Sequence, residues 1–184
     1  MISGEVPANN RVPRLELVMK HIYSRLTLRI KNVATETILL KSITLKPKTA
    51  YTTEARVNVS TTALTPEQTN TSLDGYSFPF EADDEIYTKG ILSDAVDESI
   101  EMLWIPQTFA ADMEITIVFS GAKSLKETTL TATLPQAHLP KLDQATRYTL
   151  PLLVAHATII IGGAVTVQDW GDQIDMGTPP DINI

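Results

Sequence analysis

Ile22-Tyr23-Ser24-Arg25-Leu26-Thr27-Leu28-Arg29-Ile30-Lys31 decides the fold class of this chain. Even positions carry Ile22, Ser24, Leu26, Leu28 and Ile30, while odd positions carry Tyr23, Arg25, Thr27, Arg29 and Lys31. A period of two puts one set on each face of an extended strand, so this segment reads as a half-buried β-strand with one polar face. Upstream, Leu15, Leu17 and Met19 sit on the opposite parity, which predicts a bulge or a change of sheet near His21.

Working outward, the same period recurs. Strands are predicted over residues 38–45, 51–60, 100–105, 113–119, 128–134 and 147–155. Pro151 interrupts the last of these, which suits an edge strand or a bulge. Thr158-Ile159-Ile160-Ile161, Gly162-Gly163 and Ala164-Val165-Thr166-Val167 read as a tight hairpin with Ile160 opposite Val165 and Thr158 opposite Val167. Helical signal is confined to one turn over residues 139–144. Residues 61–75 and the acidic stretch 81–98 read as loops. The whole predicts an all-β chain: an antiparallel β-sandwich of about seven to nine strands. Its divisions are a flexible leader at 1–14, a single sandwich domain at 15–170 and a tail at 171–184.

Composition excludes several functions. The chain has 184 residues, 43% of them hydrophobic, enough for one good-sized core. Its net charge of −7 and the lack of any basic, aromatic-rich stretch argue against nucleic-acid binding. With no cysteine there is no disulfide, thiol chemistry or zinc–thiolate site. No apolar run approaches the ~18 residues of a spanning helix. The N-terminus has neither the basic nor the apolar region of a signal peptide.

No catalytic constellation is present. His21, His138 and His156 fall on separate predicted elements, and no nucleophile-elbow, zincin or phosphate-loop spacing occurs. The acidic stretch, with Asp83, Asp84, Glu85, Asp94 and Asp97, supplies oxygen ligands but lacks the spacing of a calcium loop. The expectation is therefore a non-enzyme without metal or cofactor. Tyr76, Phe78, Phe80 and Trp104 form a candidate aromatic binding surface, with core packing as the competing reading.

Three motifs in fixed order carry a resemblance. They are His21-Ile22-Tyr23-Ser24-Arg25-Leu26, Ile105-Pro106-Gln107 and Val165-Thr166-Val167-Gln168-Asp169-Trp170, with a looser Tyr148-Thr149-Leu150-Pro151-Leu152 between the last two. Together they resemble the fimbrillin-like, minor-fimbrillin type surface proteins of Bacteroidetes. Met19-Lys20-His21 ahead of Ser24-Arg25-Leu26 follows that family's pattern, with Met19 in place of the commoner phenylalanine.

The resemblance implies a transthyretin-like or Greek-key sandwich, exported to the cell surface, the fimbrium and the outer membrane. The chain would be the family's C-terminal domain or a short member. Its partners would be other fimbrial subunits or copies of itself, with host or glycan ligands as further candidates. Assembly would proceed by strand donation, in which main-chain bonds supply affinity and alternate side chains set register. Ile174, Met176, Ile182 and Ile184 are the candidate donor residues, though Pro179-Pro180 breaks their run. Arg11 or Arg14 would be the site of any arginine-specific maturation. The alternative is a monomeric extracellular module that binds glycans or proteins.

Overall fold

A computed structural model describes residues 2–3, 19–57, 66–93, 98–162 and 165–169. Among them the strands are β1 (Ile2–Ser3), β2 (Met19–Lys20), β3 (Ser24–Asn32), β4 (Ile38–Pro47), β5 (Tyr51–Val57), β6 (Pro66–Ser72), β7 (Tyr76–Pro79), β8 (Glu98–Trp104), β9 (Gln107–Thr108), β10 (Met113–Gly121), β11 (Glu127–Leu134), β12 (Lys141–Leu142), β13 (Thr146–Val154), β14 (Ile159–Ile161) and β15 (Thr166–Asp169). A one-turn helix α1 (Glu85–Thr88) follows β7, and a 3-10 turn spans Gln136–His138.

Two sheets make the sandwich. The first runs β11-β10-β4-β7, and the second runs β14-β13-β3-β8 with β15 also on β13. Because β14 and β15 share one lane, the second sheet is four lanes wide like the first, and the eight lanes agree with the seven to nine strands expected. Three small pairs stand beside them: β1 with β2, β9 with β12, and the β5–β6 hairpin. In the two principal sheets every pair is antiparallel except β3 with β13, which is parallel.

Alternation places the core as the sequence predicts. Leu26, Leu28 and Ile30 of β3 are wholly buried and belong with Ile115, Ile117 and Phe119 of β10 to a single apolar cluster. Each such side chain removed from water contributes about 2 kcal/mol. In β4 the buried parity changes from Ile38 and Leu40 to Ile43 and Leu45. A β-bulge accounts for it: Val118 pairs with Ser42 and Phe119 with Leu40, so Lys41 is passed over. The break near His21 is a change of sheet, since β2 pairs with β1 whereas β3 lies inside the second sheet.

Several expectations are corrected. The predicted hairpin about Gly162-Gly163 does not form. Ile160 pairs with Leu153 and Val167 with Tyr148, so β14 and β15 run in the same direction along one side of β13. The turn lies earlier, at residues 155–158, where the Ala155 N–H donates to the Thr158 carbonyl at 2.9 Å. Pro151 explains the arrangement. Its carbonyl accepts from the Gly162 N–H at 2.9 Å, so its missing N–H points into the same lane. That lane breaks there, between the rungs at Leu152–Ile161 and Thr149–Thr166. Thus β13 is interrupted at Pro151 on one side but is no edge strand. Residues 66–72, expected to be loop, are strand β6. Residues 81–98 contain α1 and the buried Ile91, which bridges to Ile38. The helical turn sits at Gln136–His138, while Lys141 and Leu142 pair with β9.

Polar side chains tie the loops, Asn32 and Gln107 from buried positions and Glu36 from nearer the surface. Asn32 closes the turn after β3: its Nδ2 donates to the Glu36 and Ile91 carbonyls, both at 2.8 Å, and its Oδ1 accepts from the Ala34 N–H at 2.8 Å. Gln107 stands in for a strand neighbour of β5. Its Oε1 accepts from the Thr52 N–H at 2.7 Å, and its Nε2 donates to the Thr52 carbonyl at 3.3 Å and the Ile105 carbonyl at 3.1 Å. The Glu36 carboxylate accepts from the Lys123 and Ser124 N–H groups at 3.1 and 3.3 Å and from the Ser124 hydroxyl at 3.2 Å.

Two predictions follow from these ties. In Gln107→Glu an ionised oxygen would face the carbonyls of Thr52 and Ile105. We expect about 3 kcal/mol of destabilisation at neutral pH, as for a buried polar group left unsatisfied. The loss should shrink in acid as the carboxyl regains a proton to donate. Urea unfolding at both pH values, with Gln107→Ala as control, measures it. The Lys123 N–H is the main cause holding the Glu36 carboxyl below the ordinary range, and the Ser124 bonds and His156 act in the same direction against partial desolvation. A lowered folded value means that the tie is complete above the usual glutamate value of about 4.3 and is lost as pH falls through the lower folded one. Amide protection at Lys123 and Ser124 should therefore fall in that acid window, and Glu36→Gln should abolish the pH dependence.

Candidate functional site

Edges come first, because a sandwich leaves unpaired main-chain groups only there. On one flank β11 lies alongside β14, so the borders of the two sheets approach each other. On the other flank the borders are β7 and β8. β7 is four residues long and ends at Pro79, which suits an edge. Its lane along β4 continues through the Phe80 N–H, which donates to the Lys41 carbonyl at 2.9 Å, and through Ile91. The acidic residues 81–90 are an excursion between those two rungs. Among the described residues β8 pairs only with β3. Its Ile100, Met102 and Trp104 face the core, and Ser99, Glu101 and Leu103 face outward. Glu101 forms an ion pair with Arg25, and burial followed by the neighbouring Arg147 lowers the Arg25 guanidinium from its ordinary value.

Aromatic rings join these two borders. Trp104, 3% exposed, packs against Tyr76 of β7 at 5.2 Å, Tyr51 of β5 at 5.6 Å and Phe109 edge-on at 6.1 Å. Phe78 and Phe80 lie 5.3 Å apart. Of the four rings considered as a binding surface, Trp104 and Phe80 are core residues, and Tyr76 and Phe78, which share the parity of Phe80, are less covered along the short edge strand. Solvent reaches Tyr76, 37% exposed, and part of Phe78.

At the same end of the sandwich the β5–β6 hairpin stands over a polar hollow of about 530 Å³ lined by Tyr23, Thr53, Glu54, Arg56, Asn70 and Ile105. A smaller notch beside it is lined by Ile22, Tyr23, Ala55, Val57, Ile105 and Pro106. The first two sequence motifs thus meet at one place. Their polar members serve the fold: the Ser24 hydroxyl donates to the Asp143 carbonyl at 2.5 Å, and Gln107 holds β5. Sequence reasoning singled out Gln107 only as part of a motif. Its place directly after Pro106, at the end of an apolar strand pattern, was the available signal.

The other candidates are dispersed. Ile174, Met176, Ile182 and Ile184 lie outside the described residues, as do Arg11, Arg14 and Trp170. His21 and His156 are at opposite ends of the sandwich, where Gln144 donates to the His21 carbonyl at 3.2 Å and His156 Nε2 lies 3.0 Å from the Thr35 hydroxyl. Among the described residues no three His, Asp or Glu side chains gather to hold a metal, and no helix is long and apolar enough to cross a membrane.

Comparison with known proteins bears on this geometry. The fold is similar to that of a candidate cell adhesion protein from Bacteroides uniformis ATCC 8492, at TM-score 0.50 and 18% identity over 86% of this chain and 54% of that one. Looser likenesses are to a candidate cell adhesion protein from Bacteroides ovatus ATCC 8483 (TM-score 0.49, 12% identity, 80% and 45% covered) and a fimbrial protein from Bacteroides vulgatus ATCC 8482 (0.42, 14%, 82% and 55%). The chain spans about half the length of these structures. No match was found among curated proteins. The model of the fimbrillin-like family matches residues 1–170, so the chain belongs to the fimbrillin-like family.

Proposed function

We propose that this chain is a non-enzymatic, exported cell-surface protein, a fimbrial subunit or fimbria-associated adhesin that assembles through its sheet edges. The observation that carries the reading is the fimbrillin-like match over residues 1–170 of an all-β sandwich. β-Augmentation supplies the mechanism. A strand from another subunit, or from a second copy, adds to an open edge, where main-chain bonds give affinity and alternate side chains give register. β8 is the receiving edge that fits best, since it offers seven residues against four in β7. The donor is the segment carrying Ile174, Met176, Ile182 and Ile184.

A second reading rests on Tyr76, whose ring is backed by Trp104 and partly open to solvent. Such a ring stacks on a sugar face, and the chain would then act as a glycan-binding module. Saturable binding on a glycan panel that is lost in Tyr76→Ala would support this reading, and a blank panel would overturn it.

Light scattering and negative-stain imaging test assembly, on this chain and on the protein as processed by the cell. We expect polymers that vanish when residues 171–184 are removed. Polymers indifferent to that deletion place the donor elsewhere, and monomers under all conditions overturn assembly.

A further inference from the structure

The β5–β6 hairpin carries an irregularity that leaves its register unchanged. Thr52 pairs with Thr71, Glu54 with Asn70 and Ala55 with Gln68, so Thr53 is passed over on one strand and Thr69 on the other. The two bulges cancel. The rungs on either side of Glu54–Asn70 fall on one continuous register, which runs on to Val57–Pro66. A bulge breaks the ladder locally and re-aims side chains. A compensated pair does so without shifting anything downstream, so its effect is confined to the residues at the break. Three of those residues, Thr53, Glu54 and Asn70, line the hollow of about 530 Å³ beside the hairpin.

The hollow is built on fixed supports. Gln107, itself buried, grips both main-chain groups of Thr52 immediately before the first bulge. The sandwich body supplies Ile105 and Tyr23 to the lining. The Tyr23 carbonyl accepts from the Ala145 N–H at 3.1 Å, and its side chain is 42% exposed. Asn70 Oδ1 accepts from the Thr71 N–H at 2.9 Å, which leaves the amide NH2 to donate. Elsewhere on the surface opposite charges pair, as Lys41 does with Glu127 and Lys141 with Asp143. Glu54 and Arg56 line one hollow and form no ion pair among the described residues.

This lining selects a class of ligand. Small-molecule sites hold about 300–1,000 Å³ and are mostly apolar. The hollow has such a volume with the opposite character. It offers an accepting carboxylate, a donating guanidinium, a donating amide and the Thr53 hydroxyl beside one exposed aromatic ring, and its two charges cancel. The molecule that answers it is uncharged, rich in hydroxyls that both donate and accept, and apolar on one face.

We propose that this hollow binds a neutral saccharide, whose C–H face lies on Tyr23 and whose hydroxyls are held by Glu54, Arg56 and Asn70. The proposal rests on the glycan reading above only in the class of ligand, and it takes that ligand at a site whose lining does not include Tyr76.

A panel of neutral oligosaccharides built from hexoses and N-acetylhexosamines, screened by saturation-transfer NMR and titrated by calorimetry against the whole chain, tests the site. Tyr23→Ala and Glu54→Gln should each weaken binding by about tenfold or more, as central contacts do. Tyr23→Phe, which keeps the ring, and Tyr76→Ala should bind as the parent does. Both altered positions are exposed, so the melting temperature should not move. Amide shifts at Thr53 and Asn70 of the unsubstituted protein, on addition of the panel saccharides, locate the site without any substitution. Binding that is lost in Tyr76→Ala and kept in Tyr23→Ala overturns this site and leaves the glycan reading standing. A blank panel, or binding confined to acidic saccharides, overturns the class of ligand and the proposal with it.

Discussion

The parallel pairing of β3 with β13 is the constraint on which the sandwich depends. Eight residue pairs, from Arg25–Arg147 to Asn32–Val154, join strands that lie far apart in the chain. These two lanes form the middle of the second sheet, so the positions of β8, β14 and β15 all follow from theirs. The same register puts Leu26, Leu28 and Ile30 beside Tyr148, Leu150 and Leu152 on one apolar face. A pairing of this kind cannot form from local sequence. It must wait for most of the chain, and its loop-closure cost makes such topologies slow to fold. Local ties at its entrance offset part of that cost. The Ser24 hydroxyl reaches Asp143 beside β13, the Tyr148 hydroxyl accepts from the Asp143 N–H at 2.9 Å and donates to its carboxylate at 3.2 Å, and the Ala145 N–H donates to the Tyr23 carbonyl at 3.1 Å. These bonds align the starts of both strands, and one rung in register brings the rest with it.

The sequence signatures of the family acquire a physical meaning in this light. Ser24 in the first motif and Gln107 in the second are buried and bonded to backbone, and the two occupy one end of the sandwich. Val167 and Gln168 of the third line the same end of β13, opposite Tyr148 and Arg147. The Ser24 and Gln107 side chains hold the fold together at that end.

Fold class was legible because period-two patterning is a one-dimensional record of which face is buried. β3, β8 and β10 show it, and burial follows it along most of each strand, with the buried Thr27 in β3 and Ser120 at the end of β10 as departures. What the sequence did not disclose was partner choice. A diglycine between two apolar runs satisfies the local rules for a hairpin. The alternative, two collinear strands on β13, is favoured by Pro151 on a third segment, which cannot donate into that lane. β6 was missed because Pro66-Glu67-Gln68-Thr69-Asn70-Thr71-Ser72 has no apolar alternation to read, its pairing being fixed from outside by β5. The rings at Trp104 and Phe80 were ambiguous because an aromatic on a strand serves core and surface equally well until its parity is tied to a neighbour.

Edges set the limits on function. A free strand border invites any other strand, and this chain guards its borders unequally. β7 is short and ends in proline, and β11 carries Glu127, bonded to Lys41 at 2.8 Å, at its start. β8 has Glu101 committed to Arg25 and an outward Leu103 that is more than half exposed. Charge at an edge opposes pairing with an indifferent strand but not with one whose side chains answer it. Guarding of this kind penalises every added strand except one with matching alternation. A net charge of −7 works in the same direction, since like-charged copies repel one another. A strand added at β8 would have to place polar groups opposite Glu101 and an apolar group beside Leu103 to displace water from both.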